Sequence, residues 1–163
     1  MLYYNIMKKS FLTCAALLML LASLPACAPA KEEPGFQSLS TGDTITLAAF
    51  GDKPALVAFW RSDCAPCATE KPILLTIAKE HADLPVVIIS LQDAVHTRKD
   101  FAAVPSNMHV LLAKDDAVKT LHALGDENSA MPYSVFLHAD GTQCKSRLGL
   151  LGTHIVDEWV KQC

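Results

Sequence analysis

Strand-like and helix-like stretches alternate along this chain and close on a hairpin and a final helix, so the sequence predicts an α/β fold, a central mixed sheet with helices on both faces. Two observations carry this reading. Ala55-Leu56-Val57-Ala58-Phe59-Trp60 and Pro85-Val86-Val87-Ile88-Ile89-Ser90-Leu91 are near-continuous apolar runs of strand length, as expected of strands buried on both faces. Between them Ile73, Leu74, Ile77 and Ala78 recur at helical spacing.

Taken in order, Thr44-Ile45-Thr46-Leu47 alternates like a strand and runs into a turn around Gly51-Asp52-Lys53-Pro54. The first apolar run follows. After Asp63 to Cys67 the helical spacing lasts to about Glu80, with His81 at the expected C-terminus. The second run leads into a short helix from about Val95 to Ala103, and Met108 to Ala113 reads as a third strand. Ala117, Val118, Leu121 and Leu124 space as a helix that stops at Gly125. Tyr133 to Leu137 alternates into Ala139-Asp140-Gly141-Thr142, which predicts a hairpin. Thr153 is the expected cap of a last helix with Ile155, Val156, Trp159 and Val160 on one face.

The 163 residues are 51% apolar, too rich for a disordered chain, and 14 Lys and Arg against 17 Asp and Glu give no basic field for nucleic acid. Much of the apolar excess sits in Phe11 to Leu24, behind Lys8 and Lys9. A basic pair and an apolar block shorter than the roughly 20 residues of a membrane span predict a signal peptide over residues 1–26. Leu24-Pro25-Ala26-Cys27 resembles a bacterial lipobox, which implies acylation of Cys27 and a lipid anchor; the alternative is cleavage at Ala28-Pro29-Ala30. Either route places the protein outside the cytoplasm, and the lipobox puts it on the periplasmic side of the bacterial envelope. Residues 27–40, charged and rich in turn formers, are expected to be a tether, and 41–163 the folded domain.

The strongest local signal is Phe59-Trp60-Arg61-Ser62-Asp63-Cys64-Ala65-Pro66-Cys67. Two cysteines three apart at a helix start can close a small disulfide ring, and the unpaired N–H groups and dipole there stabilise a thiolate on the first. Cys64 is the expected nucleophile and Cys67 the resolving thiol, while Pro66 suits a first turn that has no use for its missing N–H. The rival reading is half a zinc site, but no second CxxC or His-x-x-His accompanies it, so no metal is expected.

With Phe59-Trp60, Cys64-x-Pro66-Cys67, Glu70, Pro72 and Met131-Pro132, the chain from about 36 to 162 resembles the thioredoxin-like thiol–disulfide oxidoreductases of the TlpA/ResA/CcmG group, in lipoprotein form. The resemblance implies a thioredoxin-like fold with an N-terminal β-hairpin, a helix–strand insertion over about Val95 to Ala113, and an architectural Pro72. It implies a cis bond at Met131-Pro132 beside the disulfide, with substrate contacts at Met131, Pro132 and Trp60. It also implies that Glu70 handles the proton of Cys67; the alternative is a solvated helix-face carboxylate. Two departures stand out. Ala58 occupies the place of the buried Asp of ordinary thioredoxins, and Asp63 replaces an aromatic before Cys64, where its charge opposes the thiolate unless it caps the helix.

By the same resemblance the protein reduces disulfides of partner proteins with no cofactor beyond the Cys64–Cys67 couple, and a membrane thiol transporter of the DsbD type is the electron donor. Its substrates would be an apocytochrome c undergoing maturation, a methionine sulfoxide reductase or a copper-site protein. A Dsb-like oxidase, a Cu(I)-handling lipoprotein and a non-catalytic binding domain are the alternatives. Of the other cysteines, Cys14 leaves with the export segment, and Cys144 and Cys163 are expected to form a structural disulfide, with a second redox pair as the competing idea. The six His are dispersed without ligand spacing.

Overall fold

The structure, a computed structural model, describes residues 34–113 and 117–163. The expected signal peptide, Cys27 and the tether up to residue 33 lie outside the described residues. The elements are β1 (Phe36–Ser38), β2 (Thr44–Ile45), a 3₁₀ turn (Leu47–Phe50), β3 (Ala55–Trp60), α1 (Ala65–Glu80), β4 (Val86–Ser90), α2 (Ala94–Asp100), β5 (Met108–Ala113), α3 (Ala117–Ala123), β6 (Tyr133–Leu137), β7 (Gln143–Leu148) and α4 (Thr153–Gln162).

Seven strands form one mixed sheet in the order β2-β1-β5-β4-β3-β6-β7. The apolar runs β3 and β4 sit inside it, paired in parallel, and β5 extends the parallel part. The hairpin β1–β2 closes one side by pairing antiparallel to β5, and β6–β7 closes the other against β3. Side chains alternate between faces, so each central strand feeds two cores. On one face Leu56, Ala58, Trp60, Val86 and Ile88 pack with Cys67, Leu74 and Ile77 of α1 and with Val156 and Trp159 of α4. On the other, Val57, Phe59, Val87 and Ile89 pack with Phe36, Val135 and Leu121 of α3. Each Val, Leu, Ile or Phe among them, fully buried, contributes about 1.5–3 kcal/mol before entropy is counted.

Four sequence expectations change. The tether does not reach residue 40, because Phe36–Ser38 is a sheet strand and Phe36 is 1% exposed. The strand expected through Leu47 ends at Ile45, and Leu47 opens the 3₁₀ turn instead. The insertion helix spans Ala94–Asp100, not Val95 to Ala103: the Asp93 side chain caps it by accepting from the Val95 and His96 N–H groups, and Phe101 turns inward against Trp60. Thr153 is the first helical residue rather than the cap. Gly152 holds the cap position without a side-chain bond, and Val160 faces solvent while Val156 and Trp159 are buried.

Candidate active site

The parallel strand β3 delivers the chain to the N-terminus of α1, where Cys64 is the cap residue itself. Its Sγ accepts the Cys67 N–H at 3.2 Å, so a donor left free by helix geometry points at the sulfur that must carry negative charge. Cys64 and Cys67 form a disulfide with Cα atoms 5.2 Å apart. Cys67 is fully buried and Cys64 only partly so. A partner sulfur can therefore approach Cys64 alone.

Asp63 does not cap the helix. Its carboxylate takes a two-pronged bond from the Arg61 guanidinium, which holds its pKa below the usual carboxylate range. The anion next to Cys64 thus comes with its own counter-charge. Ser62 is tied down as well: its N–H and hydroxyl both donate to Gln92 Oε1, and Gln92 Nε2 donates to Asp100 at the end of α2. The insertion thereby reaches the loop that carries the first cysteine.

Trp60 corrects an expectation. It is 1% exposed, donates its indole N–H to the Cys67 carbonyl at 3.2 Å and meets Phe101 edge-on at 4.9 Å. It braces the cysteine turn from below and offers no face to a substrate.

Glu70, one turn beyond Cys67, is fully buried, which removes the alternative of a solvated carboxylate. Its Oε1 accepts the Leu151 N–H at 2.7 Å, and its Oε2 has no partner. Burial pushes its pKa up to about 7 despite that bond and the opposing charge of Arg147. A carboxyl poised there can give or take a proton at neutral pH. Ala58, fully buried in β3, supplies no such group.

Met131-Pro132 is cis, and Pro132 is buried. Met131 and Cys64, both partly buried, pack against the core cluster that holds Cys67 and Trp60. The loop between β7 and α4 joins the parts: the Gly149 N–H donates to the Pro132 carbonyl at 2.8 Å, and two residues later Leu151 reaches Glu70. Gly149 has φ +95°, a conformation that glycine adopts without strain.

Cys144 and Cys163 lie apart from this site. They form a disulfide with Cα atoms 6.0 Å apart that ties β7 to the end of α4, and His138 Nδ1 lies 3.1 Å from the Cys163 carbonyl oxygen. Among the described residues no group of three or more His, Cys, Asp or Glu side chains is placed to hold a metal. Sequence reasoning missed Gln92, Leu151 and Arg147 as parts of the site, since each arrives through contacts across the fold. The Arg61–Asp63 pair alone had a local signal, in its spacing.

Residues 26–145 match the AhpC/TSA family. The chain belongs to that family. A thioredoxin from Alicyclobacillus acidocaldarius is 33% identical over 84 residues, which are 48% of this chain and 80% of that protein. The exposed lipoprotein thioredoxin of Streptococcus pneumoniae superposes with a TM-score of 0.67 at 21% identity, over 81% of this chain and 100% of its own. A secreted disulfide oxidoreductase of Mycobacterium tuberculosis, described as homologous to DsbE of E. coli, gives a TM-score of 0.57 at 25% identity over 78% of this chain and 92% of its own. This AhpC/TSA member is a thioredoxin-fold thiol–disulfide oxidoreductase with a Cys64–Cys67 couple. Among the described residues no helix is long and apolar enough to cross a membrane.

Proposed function

We propose that the protein is a membrane-anchored reductase of protein disulfides on the periplasmic side of the bacterial cell envelope, held there by a lipid on Cys27. The observation that carries the chemical part is the asymmetry of the couple: a partly exposed Cys64 at a helix N-terminus, and a buried Cys67 followed one turn on by a buried Glu70.

In the reduced protein the Cys64 thiolate attacks one sulfur of a substrate disulfide. A Cys64–substrate bond forms, the substrate bond breaks and its other sulfur leaves as a thiolate. Cys67 then gives its proton to the Glu70 carboxylate and attacks Cys64 Sγ, which closes Cys64–Cys67 and releases the second substrate sulfur. The substrate gains two electrons and the protein loses them. A DsbD-type membrane thiol transporter restores the dithiol. Met131, which packs against the same core cluster as Cys64, and Pro132 offer backbone for an extended substrate segment to pair with. The second disulfide, Cys144–Cys163, supports an oxidising compartment.

The deciding measurement is the reduction potential of the Cys64–Cys67 couple. A value near about −270 mV is expected of a reductant, and one near about −120 mV would make the protein an oxidase and overturn the direction proposed. For Glu70, Glu70→Gln should slow resolution of the mixed disulfide at neutral pH. An unchanged exchange rate and unchanged thiol titration would remove Glu70 from the reaction.

A further inference from the structure

Among the described residues three buried side-chain oxygens have no hydrogen-bond partner, and two of them, Glu70 Oε2 and Ser134 Oγ, lie on the α1 side of the sheet. Buried polar atoms in folded proteins are nearly always paired, so two orphans behind a reacting cysteine need a physical account.

Strand register puts them in one compartment. Ser134 stands opposite Ala58 of β3 on one side and Arg147 of β7 on the other. Residues opposite one another in a sheet share a face. That face of β3 and β6, with Ala58, Trp60 and Phe136, packs against Cys67 and Leu151. Leu151 is the residue whose N–H bonds Glu70 Oε1, and Arg147, directly across from Ser134, is the residue whose charge acts on Glu70. Arg147 is fixed in turn by donating from Nε to the Leu150 carbonyl at 2.8 Å. Arg147 is thus a neighbour of Ser134 across the sheet and acts on Glu70 as well.

We propose that Ser134 is the second polar partner of Glu70, the two oxygens being joined through one internal water, and that Ser134 is a positioning residue for the proton Glu70 exchanges with Cys67. The last clause rests on the role given to Glu70 above. A hydroxyl suits the task because it donates toward a carboxylate and accepts from a carboxylic acid, and a bridging water has the same two-way capacity. Of the titratable groups, Arg147 acts on this compartment from β7 and Cys67 packs into it from α1; β3, β6 and α4 contribute apolar side chains and the Ser134 hydroxyl, with Leu56, Ala58 and Trp60 from β3. Ser134 therefore works with Arg147 and the Leu151 N–H in favouring the ionised form, against the burial that disfavours it.

The test is the titration of Glu70 in the oxidised full-length protein, where Cys64 and Cys67 carry no proton, followed by the carboxyl infrared band assigned through its loss in Glu70→Gln. Ser134→Ala should raise the proton affinity of Glu70 about tenfold, the loss of one hydrogen bond to a charged group, and Ser134→Thr should leave it near the wild-type value. Ser134→Val, which has the shape of the threonine variant without its hydroxyl, must shift the midpoint in the same direction as Ser134→Ala; this separates the hydroxyl from packing. The same midpoint in all three variants, or an equal shift for threonine and valine, overturns the proposal. The disulfide is closed throughout, so the result is independent of exchange kinetics: normal kinetics in Glu70→Gln would overturn only the role of Glu70 at Cys67.

Discussion

At neutral pH the Glu70 carboxyl is close to half-protonated, because burial raises its pKa from 4.5 to about 7. Between those two values the folded state holds more of this proton than the unfolded chain does, so stability falls as pH rises through that window and the penalty is constant above it. Below about pH 4 both states are protonated and the penalty vanishes. The shift corresponds to a cost on the order of 3 kcal/mol at alkaline pH. Glu70→Gln should therefore match wild type at about pH 4 and exceed it by on the order of 3 kcal/mol at about pH 8, read from urea midpoints of the oxidised protein. Equal midpoint differences at the two pH values would contradict a buried ionisable Glu70. The Arg61–Asp63 pair makes a second residue-scale prediction. Asp63 stays ionised whenever Cys64 reacts, and Arg61 offsets its charge. Arg61→Ala should raise the Cys64 thiol pKa and slow alkylation of the reduced protein about two- to threefold at low salt, an effect that fades near about 1 M salt. Alkylation rates that respond to neither the substitution nor the salt would show that the pair has no influence on the thiol. Cys64 and Cys67 were legible from spacing alone, since a helix start after a buried strand is a local pattern. The burial of Glu70 was not, because its partner Leu151 lies 81 residues away in sequence.

The length of α1 shows how an element can contradict its own sequence and still form. Pro72 sits inside the helix without a backbone N–H, yet the helix runs unbroken from Ala65 to Glu80, held by Cys67, Leu74, Ile77 and Ala78 in the core. Its far end is closed from outside the element. The Asn107 side-chain amide nitrogen shares its two N–H donors among the carbonyls of Ala78, in the last turn, and of His81 and Leu84, in the loop that follows, at 2.9, 2.9 and 2.8 Å. Asn107→Ala should cost about 1–3 kcal/mol in urea unfolding while sparing the Cys64–Cys67 potential. A fall in stability below a few tenths of that range would mean water replaces the amide at no cost. Strand and helix identities were readable because their periods differ. The ends were less so: the cap of α4 is Gly152, whose added Cβ would lie 2.7 Å from the His154 ring, and no local propensity announces a contact of that kind.

Strand order belongs to the whole molecule, and nothing in a single segment encodes it. The insertion strand β5 has the apolar pattern of a buried strand, but its burial depends on β1, which arrives from the other end of the chain to cover its outer edge. Because β1 is only three residues long and follows a charged, turn-rich stretch, composition assigned it to the tether. Phe36 shows what that reading missed, for it is buried in the same cluster as Val57, Phe59, Val87 and Leu111. A chain beginning at Pro34 should fold with the stability of the full domain. One beginning at Thr41, the domain boundary that composition suggests, loses Phe36 and leaves the β5 edge unpaired over Leu111, Leu112 and Ala113. Removing a buried Phe alone costs about 3–5 kcal/mol, and an open apolar edge is a template for pairing with another copy. The shorter chain should therefore unfold at a distinctly lower urea concentration and elute as oligomers, while the longer one remains a monomer. If both unfold at the same midpoint and both remain monomers, β1 is an ornament on the sheet and the folded unit begins where composition placed it.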